Sequence, residues 1–361
     1  MSSLYVHIPF CQSICTYCDF PKLFFREEYE APYLASLKKE LLSLSPTHYD
    51  TVYIGGGTPT SLSDAAFASL LAMLSPFCDR NTEWSIETNP ERLTEEKLDL
   101  CLKYGVNRIS IGFESSVNRL LALMGRKHDF ASTQGAVKRA KQKGITNLNV
   151  DLIYALPAET LSELSQDIDA VLSLDVPHVS AYSLIVEKGT KLYLDGYKEA
   201  TEEDCATQYN TILKRLRENG YDRYEVSNFA RGGRKCLHNL VYWKDEEYDA
   251  IGLGASGYRG NIRYKNTSSL NHYLAGKYHL EEEIVSQKDD LEYFFLTNLR
   301  LEEGFSLETF SSRFGFSFLE RYEKEVHRLE KDGLLTLEEG RIKPTDQGIL
   351  LLDRILITLF P

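Results

Sequence analysis

Three cysteines stand within eight residues, Cys11-Gln-Ser-Ile-Cys15-Thr-Tyr-Cys18. Thiolates are soft ligands that suit iron–sulfur clusters and zinc. A 4Fe–4S cluster ordinarily takes four of them, so three leave one iron open to a ligand that carries both an amine and a carboxylate. S-adenosylmethionine is such a ligand, and one electron from the cluster can break its sulfonium bond to give a carbon radical. The remaining cysteines, Cys78, Cys101, Cys205 and Cys236, are scattered and do not close the set. Two other readings compete. Spacings of four and three also place three small hydrophobes on one helix face, but Pro9 stands two residues ahead and the segment follows a strand rather than opening a periodic helix. Zinc prefers a fourth ligand that this triplet lacks.

The elements that would position such a site alternate along the first 230 residues. Strand candidates are Leu4–Ile8, Thr51–Ile54, Trp84–Glu87, Arg108–Phe113, Leu148–Ile153, His178–Leu184 and Tyr224–Val226. Amphipathic stretches separate them, such as Leu34, Leu37, Leu41 and Leu44 at helical spacing. Thr160 and Glu163 form the sequence signature of a capping box. Repeated βα units imply parallel strands. The unusual residues follow strand ends: the cysteine loop after the first, Gly55–Thr60 after the second and Glu87 at the third, with Glu114 and Asp151 at or near the next two. Chemistry gathered at the C-terminal ends of consecutive strands is the barrel arrangement. We therefore expect a full or partial α/β barrel of the TIM-like kind.

The segment Lys188–Asp204 is polar and turn-rich, as expected of a surface excursion. Beyond Lys288 the pattern is helical over Leu291–Leu301, Leu307–Arg313 and Phe318–Lys331, then a strand pair, Leu335–Leu337 and Arg341–Lys343. Three helices and a β-wing predict a small winged-helix domain. We divide the chain into a barrel (1–230), a connecting segment (231–287) and this C-terminal domain (288–361). The last carries 10 Lys and Arg against 15 Asp and Glu, which disfavours DNA binding. The whole chain has a formal charge of −12, again against a nucleic-acid partner. With 43% hydrophobic and 26% charged residues it has the balance of a globular protein. It shows neither a signal peptide nor the roughly 18 apolar residues of a membrane span. The expectation is a cytoplasmic protein, in which free cysteines are thiols or metal ligands.

Tyr5-Val-His-Ile-Pro-Phe-Cys11 through Cys18-Asp-Phe20 resembles the N-terminal signature of the radical S-adenosylmethionine superfamily. More narrowly, it is similar to the branch that holds oxygen-independent coproporphyrinogen dehydrogenases and the HemW haem chaperones, and the resemblance runs through the winged-helix end. It implies that Cys11, Cys15 and Cys18 hold a 4Fe–4S cluster. Gly56, Gly57 and Thr58, in Gly55-Gly56-Gly57-Thr58-Pro59, match the family's glycine-rich motif for the methionyl amine. Glu87 matches a ribose-contacting acceptor, Arg126 the partner of the methionine carboxylate and Asp151 an acceptor for the other end of the ligand. Tyr5 and Tyr17 match aromatic positions flanking the cluster. Glu114 stands where the family usually has Gln; it keeps the acceptor, loses the amide donor and adds charge.

Two features separate the branches. The dehydrogenases resembled here carry a further cysteine two residues after the third, where this chain has Phe20, and begin well upstream of the motif, whereas ten residues precede Cys11. Conversely, His238-Asn-Leu-Val-Tyr242-Trp243 resembles the HNxxYW motif of the haem chaperones. Imidazole is a standard axial ligand of haem iron, so the resemblance implies that His238, Tyr242 and Trp243 contact haem. In Gly252-Leu-Gly-Ala-Ser-Gly257 the next two residues are Tyr258 and Arg259, where many relatives have histidine. The expectation is a haem chaperone that binds the cluster, S-adenosylmethionine and haem, served by an electron donor and delivering to an acceptor protein, with peripheral contact to membrane haemoproteins. Anaerobic decarboxylation of coproporphyrinogen is the enzymatic alternative, and a zinc scaffold the non-redox one.

Overall fold

The computed structural model describes residues 1–45 and 47–360. Its central feature is a run of parallel strands, β1 (Ser3–Ile8), β4 (Thr51–Gly56), β5 (Glu83–Thr88), β6 (Arg108–Glu114), β7 (Asn147–Tyr154) and β8 (His178–Ser183), hydrogen-bonded in chain order. A doubly wound sheet would reverse that order at a switch point. Here it never reverses, which is barrel winding. Between β1 and β4 the short parallel pair β2 (Phe10–Cys11) and β3 (Leu23–Phe24) brackets the cysteine loop. The sheet ends on one side in an antiparallel hairpin, β9 (Asp222–Glu225) and β10 (Asn228–Ala230). On the other side β11 (Asp249–Ile251) lies parallel to β1. The two edges are not joined, so the barrel is partial.

Side chains alternate across each strand. Outward positions such as Val6, Ile54, Ile86, Ile111 and Val150 are buried under the helices Glu30–Ser43, Asp64–Leu74, Glu95–Tyr104, Phe130–Gln142 and Leu161–Ser173. Each such side chain contributes roughly 1.5–3 kcal/mol by leaving water. Ser63, Thr94 and Asp129 cap three of these helices, and the Thr160–Glu163 capping box forms as expected. Inward positions are polar: Tyr53, Ser85 and Glu87, Arg108 and Ser110, Asn149 and Asp151, His178 and Ser180. That inner wall surrounds a cavity rather than an apolar barrel core.

After the barrel comes an antiparallel meander, β12 (Ser256–Arg259), β13 (Ile262–Asn266) and β14 (His279–Ile284). The helices Gln287–Asn298, Leu307–Phe314 and Phe318–Lys331 follow, with a small sheet of β15 (Phe305–Ser306), β16 (Leu335–Glu338) and β17 (Arg341–Pro344). This is the winged-helix order of elements, packed on its own core of Phe294, Phe295, Phe305, Phe310 and Phe318. Buried Arg223 ties the two parts together by pairing with Glu302 and Asp346, and Arg313 does so by bonding Asp245. The excursion at 188–204 is less detached than its composition suggests. Leu192 is buried, and its amide donates to the Thr16 carbonyl at 3.0 Å, fastening it to the cysteine loop.

Candidate functional site

The cysteine loop is held at both ends. Leu23 N donates to Pro9 O at 2.7 Å and Phe25 N to Cys11 O at 2.8 Å, while Thr16 N reaches Met124 O at 3.0 Å. Inside the loop Cys18 N donates to Cys15 O at 3.3 Å, and Lys22 Nζ donates to Cys18 O at 2.5 Å. The three thiols are free and line one wall of a cavity of about 560 Å³ that opens at the C-terminal ends of the strands. Among the described residues no three His, Cys, Asp or Glu side chains close around a single-ion site. A 4Fe–4S cluster spreads its thiolates more widely than one ion does. With no metal bound, burial pushes the Cys11 thiol up to about 12 and raises Cys18 as well. Loading a metal there must displace those protons.

The glycine motif packs beneath this loop. Gly57 N donates to Ile8 O and Thr58 N to Phe10 O, each at 2.8 Å. Gly56 has φ +108°, and a Cβ on it would fall 2.5 Å from the His7 ring. His7 is a buried clasp: its Nε2–H donates to Pro21 O at 2.8 Å, so Nδ1 accepts the Tyr5 hydroxyl at 3.0 Å. The need for glycine at 56 is thus met first by the clasp, a contact that spacing alone does not reveal. Tyr5 supports His7 and does not line the cavity.

Arg126 is almost fully enclosed at the cavity edge. Its Nη1 donates to Cys15 Sγ at 3.3 Å; Nη2 donates to Gly112 O at 2.7 Å and Asn89 Oδ1 at 2.9 Å and pairs with Glu114 at 3.4 Å. Its buried Nε is left without a partner. Glu114 sits at a register shift in β6 with φ +61°, and that bulge turns its carboxyl toward Arg126. Glu87 accepts the Tyr53 hydroxyl at 2.8 Å and Gly56 N at 3.1 Å. Asp151 accepts from Ser110 Oγ at 2.8 Å and Asn149 Nδ2 at 2.7 Å. Desolvation lifts Glu87 and Glu114 to about 7 and raises Asp151. Tyr17 lines the same cavity beside Glu114 and Arg126. Exposed Phe20 and Ile185 form an apolar lip at its mouth.

The structure thus brings the three cysteines, Tyr17, Gly56, Gly57, Thr58, Glu87, Glu114, Arg126 and Asp151 to one cavity. Their chemistry fits a cluster with an amino-acid ligand. Three thiols face a space larger than one ion, a buried guanidinium with a free donor suits a carboxylate, and carboxylates suit an ammonium or hydroxyls. Asn89, Ser110, Asn149 and Ser180 also belong to this wall and were missed. Their signal was the polar alternation within strands of otherwise apolar pattern.

The haem motif lies elsewhere. It forms the short helix Leu237–Trp243, which closes the floor of the barrel. His238 is 0% exposed. Thr51 Oγ1, which donates to Ser3 Oγ, lies 2.8 Å from Nδ1, and the Tyr242 hydroxyl lies 2.7 Å from Nε2. Nδ1–H therefore donates to Thr51, and the Nε2 lone pair accepts from Tyr242. The Tyr53 ring stacks on the imidazole at 5.2 Å, and burial lowers its pKa to about 3. The axial-ligand role expected of His238 is not available in this arrangement, because the lone pair that would bind iron is occupied and enclosed. Trp243 is half-buried, with Arg300 of the C-terminal domain 5.5 Å over its ring. Tyr258 and Arg259, the departures after the glycine-rich stretch, lie on β12.

Comparison with known proteins agrees with this geometry. Residues 5–171 match the Radical SAM superfamily and residues 285–351 the HemN C-terminal domain. The chain is 38% identical to the haem chaperone HemW of Lactococcus lactis, covering 96% of this chain and 94% of the relative. It is 35% identical to that of Bacillus subtilis, covering 97% of each. In fold it is similar to the coproporphyrinogen III oxidase HemN of Escherichia coli, with a TM-score of 0.86 at 23% identity over 99% of this chain and 89% of that one. Among the described residues no helix is long and apolar enough to cross a membrane. By its sequence, its cysteine-lined cavity and its C-terminal domain, the chain belongs to the HemW family of the radical S-adenosylmethionine superfamily.

Proposed function

We propose that the protein is a haem chaperone that carries a 4Fe–4S cluster on Cys11, Cys15 and Cys18, binds S-adenosylmethionine in the adjoining cavity, and passes haem to an acceptor protein. The observation that carries this reading is the near-full-length similarity to the haem chaperone of Lactococcus lactis. When bound, the cluster would supply one-electron chemistry beside the cofactor. In that assignment Arg126 faces the cofactor carboxylate, Glu87 and Asp151 accept from its hydroxyls and amine, Tyr17 lies against the adenine, and Gly56–Thr58 form the floor beneath it.

Haem contact by His238, Tyr242 and Trp243 belongs to a state in which the helix Leu237–Trp243 has lifted from the floor and freed the imidazole. The cellular setting we assign is the cytoplasm, with a reductant for the cluster and peripheral contact to membrane haemoproteins. The second reading, coproporphyrinogen decarboxylation, has the fold likeness to HemN and an open cavity beside the cysteines in its favour.

Anaerobically reconstituted protein should bind haem and form no protoporphyrinogen from coproporphyrinogen when reductant and S-adenosylmethionine are supplied. Product formation in that mixture moves the assignment to the oxidase.

A further inference from the structure

The cavity does not end at the residues assigned to the cofactor. It runs deeper, to a floor where Ser85 on β5 and Arg108 on β6 are register partners with both side chains turned inward. Arg108 is 2% exposed. Its Nη1 donates to Asn147 Oδ1 at 3.0 Å and to Arg234 O at 3.3 Å. Among the described residues no carboxylate lies within 4.0 Å of the guanidinium, and its Nε and Nη2 make no hydrogen bond. The nearby Glu83 is committed elsewhere. It accepts the amides of Leu237 at 2.8 Å and His238 at 3.2 Å, and the Cys236 thiol at 3.7 Å.

Arg108 makes no close ion pair, but Cys236 and Glu83 nearby favour its charge over desolvation, so it is a fixed cation whose Nε and Nη2 remain free donors. Buried polar atoms without a protein partner are few in native structures and mark places where water, an ion or a ligand binds. Ser85 supplies one: it is 1% exposed, its Oγ has no partner, and it lines the same space as Arg108. The helix that closes the floor adds a third group. The Asn239 carboxamide, next to the buried His238, lines the cavity and makes no hydrogen bond to the described residues. The motif His238–Trp243 therefore presents Asn239 to the chamber and keeps its histidine as the support underneath.

We propose that Arg108, Ser85 and Asn239 form an inner binding site for a carboxylate, distinct from the groups assigned to S-adenosylmethionine. A guanidinium fork beside a hydroxyl and an amide donor matches a carboxylate's two oxygens in geometry and charge. The carboxylate has two sources, a free small organic acid or a propionate arm of a porphyrin reaching down the cavity.

The test is calorimetric titration of the cluster-loaded protein with acetate and succinate in one arm, and with haem against haem dimethyl ester in the other. Arg108→Met should weaken the favoured ligand by about tenfold or more, and Arg108→Lys should recover part of that loss. Ser85→Ala and Asn239→Ala should each weaken it several-fold without lowering the unfolding midpoint, which separates ligand loss from a damaged floor. Acetate or succinate binding that depends on these residues assigns the site to a free acid. Dependence confined to haem, and lost with the dimethyl ester, assigns it to a propionate. If neither arm shows binding that falls in Ser85→Ala and Asn239→Ala, the proposal is overturned.

Discussion

The rim and the floor of this barrel are built from the same strands and are both polar, yet they are finished differently. Under the helix Leu237–Trp243, His238, Tyr242, Thr51 and Ser3 form a chain in which both imidazole nitrogens and all three hydroxyls have partners. At the rim, Arg126 keeps an unpartnered donor and carboxylates crowd one another. A satisfied buried network stabilises and fixes a structure, whereas an unsatisfied one costs stability until something binds. The layer beneath the helix, around His238, behaves as architecture, whereas the rim and the cavity's inner end, where Ser85 Oγ has no partner, behave as sites.

The sharpest break in that comparison concerns the metal. Cys11→Ser, Cys15→Ser and Cys18→Ser should each abolish the cluster measured as iron and sulfide, while Cys78→Ser, Cys101→Ser and Cys205→Ser leave it in place. Equal dependence on a scattered cysteine would put the site elsewhere. Next, His238→Ala should destabilise the protein by about 3 kcal/mol in urea unfolding, since it leaves a cavity and strands the Thr51 and Tyr242 hydroxyls. A neutral effect would show that the layer beneath the helix is not architecture.

A smaller loss of roughly 1–3 kcal/mol is expected for Gly56→Ala, which places a Cβ against the His7 ring at a positive φ. The same change should weaken the response of the reduced cluster's paramagnetic resonance spectrum to S-adenosylmethionine. The last case, Glu87→Gln, is read as a pH dependence. The carboxyl of Glu87 is lifted from 4.5 to about 7 by burial. Its contribution to stability is therefore complete below about pH 4.5 and is lost as pH rises through 7. Glu87→Gln should match wild type near pH 4 in the cofactor-free protein and exceed it at pH 8. A constant gap across that range would mean that the rim carboxylate is not held in its neutral form.

Much of this was legible in the sequence, because the barrel strands are long and each pairs an apolar outer face with polar inner positions. The cysteine triplet and the residues at strand ends also converge as their order along the chain implies. What escaped notice were short or tertiary features. β11 is three residues and β15 two, too short to carry a pattern. Gly56 is explained by the ring of His7, 49 residues earlier in the chain, only once β1 and β4 are aligned, and a motif cannot say which way the imidazole of His238 faces. Arg108 and Ser85 became a pair through strand register, which sequence spacing does not contain.

The central claim is that this barrel hands haem on. It is tested most directly by mixing haem-loaded, cluster-reconstituted protein with an apo-haemoprotein and following the acceptor's Soret band against free haem at equal concentration. The account predicts transfer that exceeds the free-haem control and is lost in Cys11→Ser. Transfer no faster than free haem, together with protoporphyrinogen formed from coproporphyrinogen by the same preparation, would contradict it.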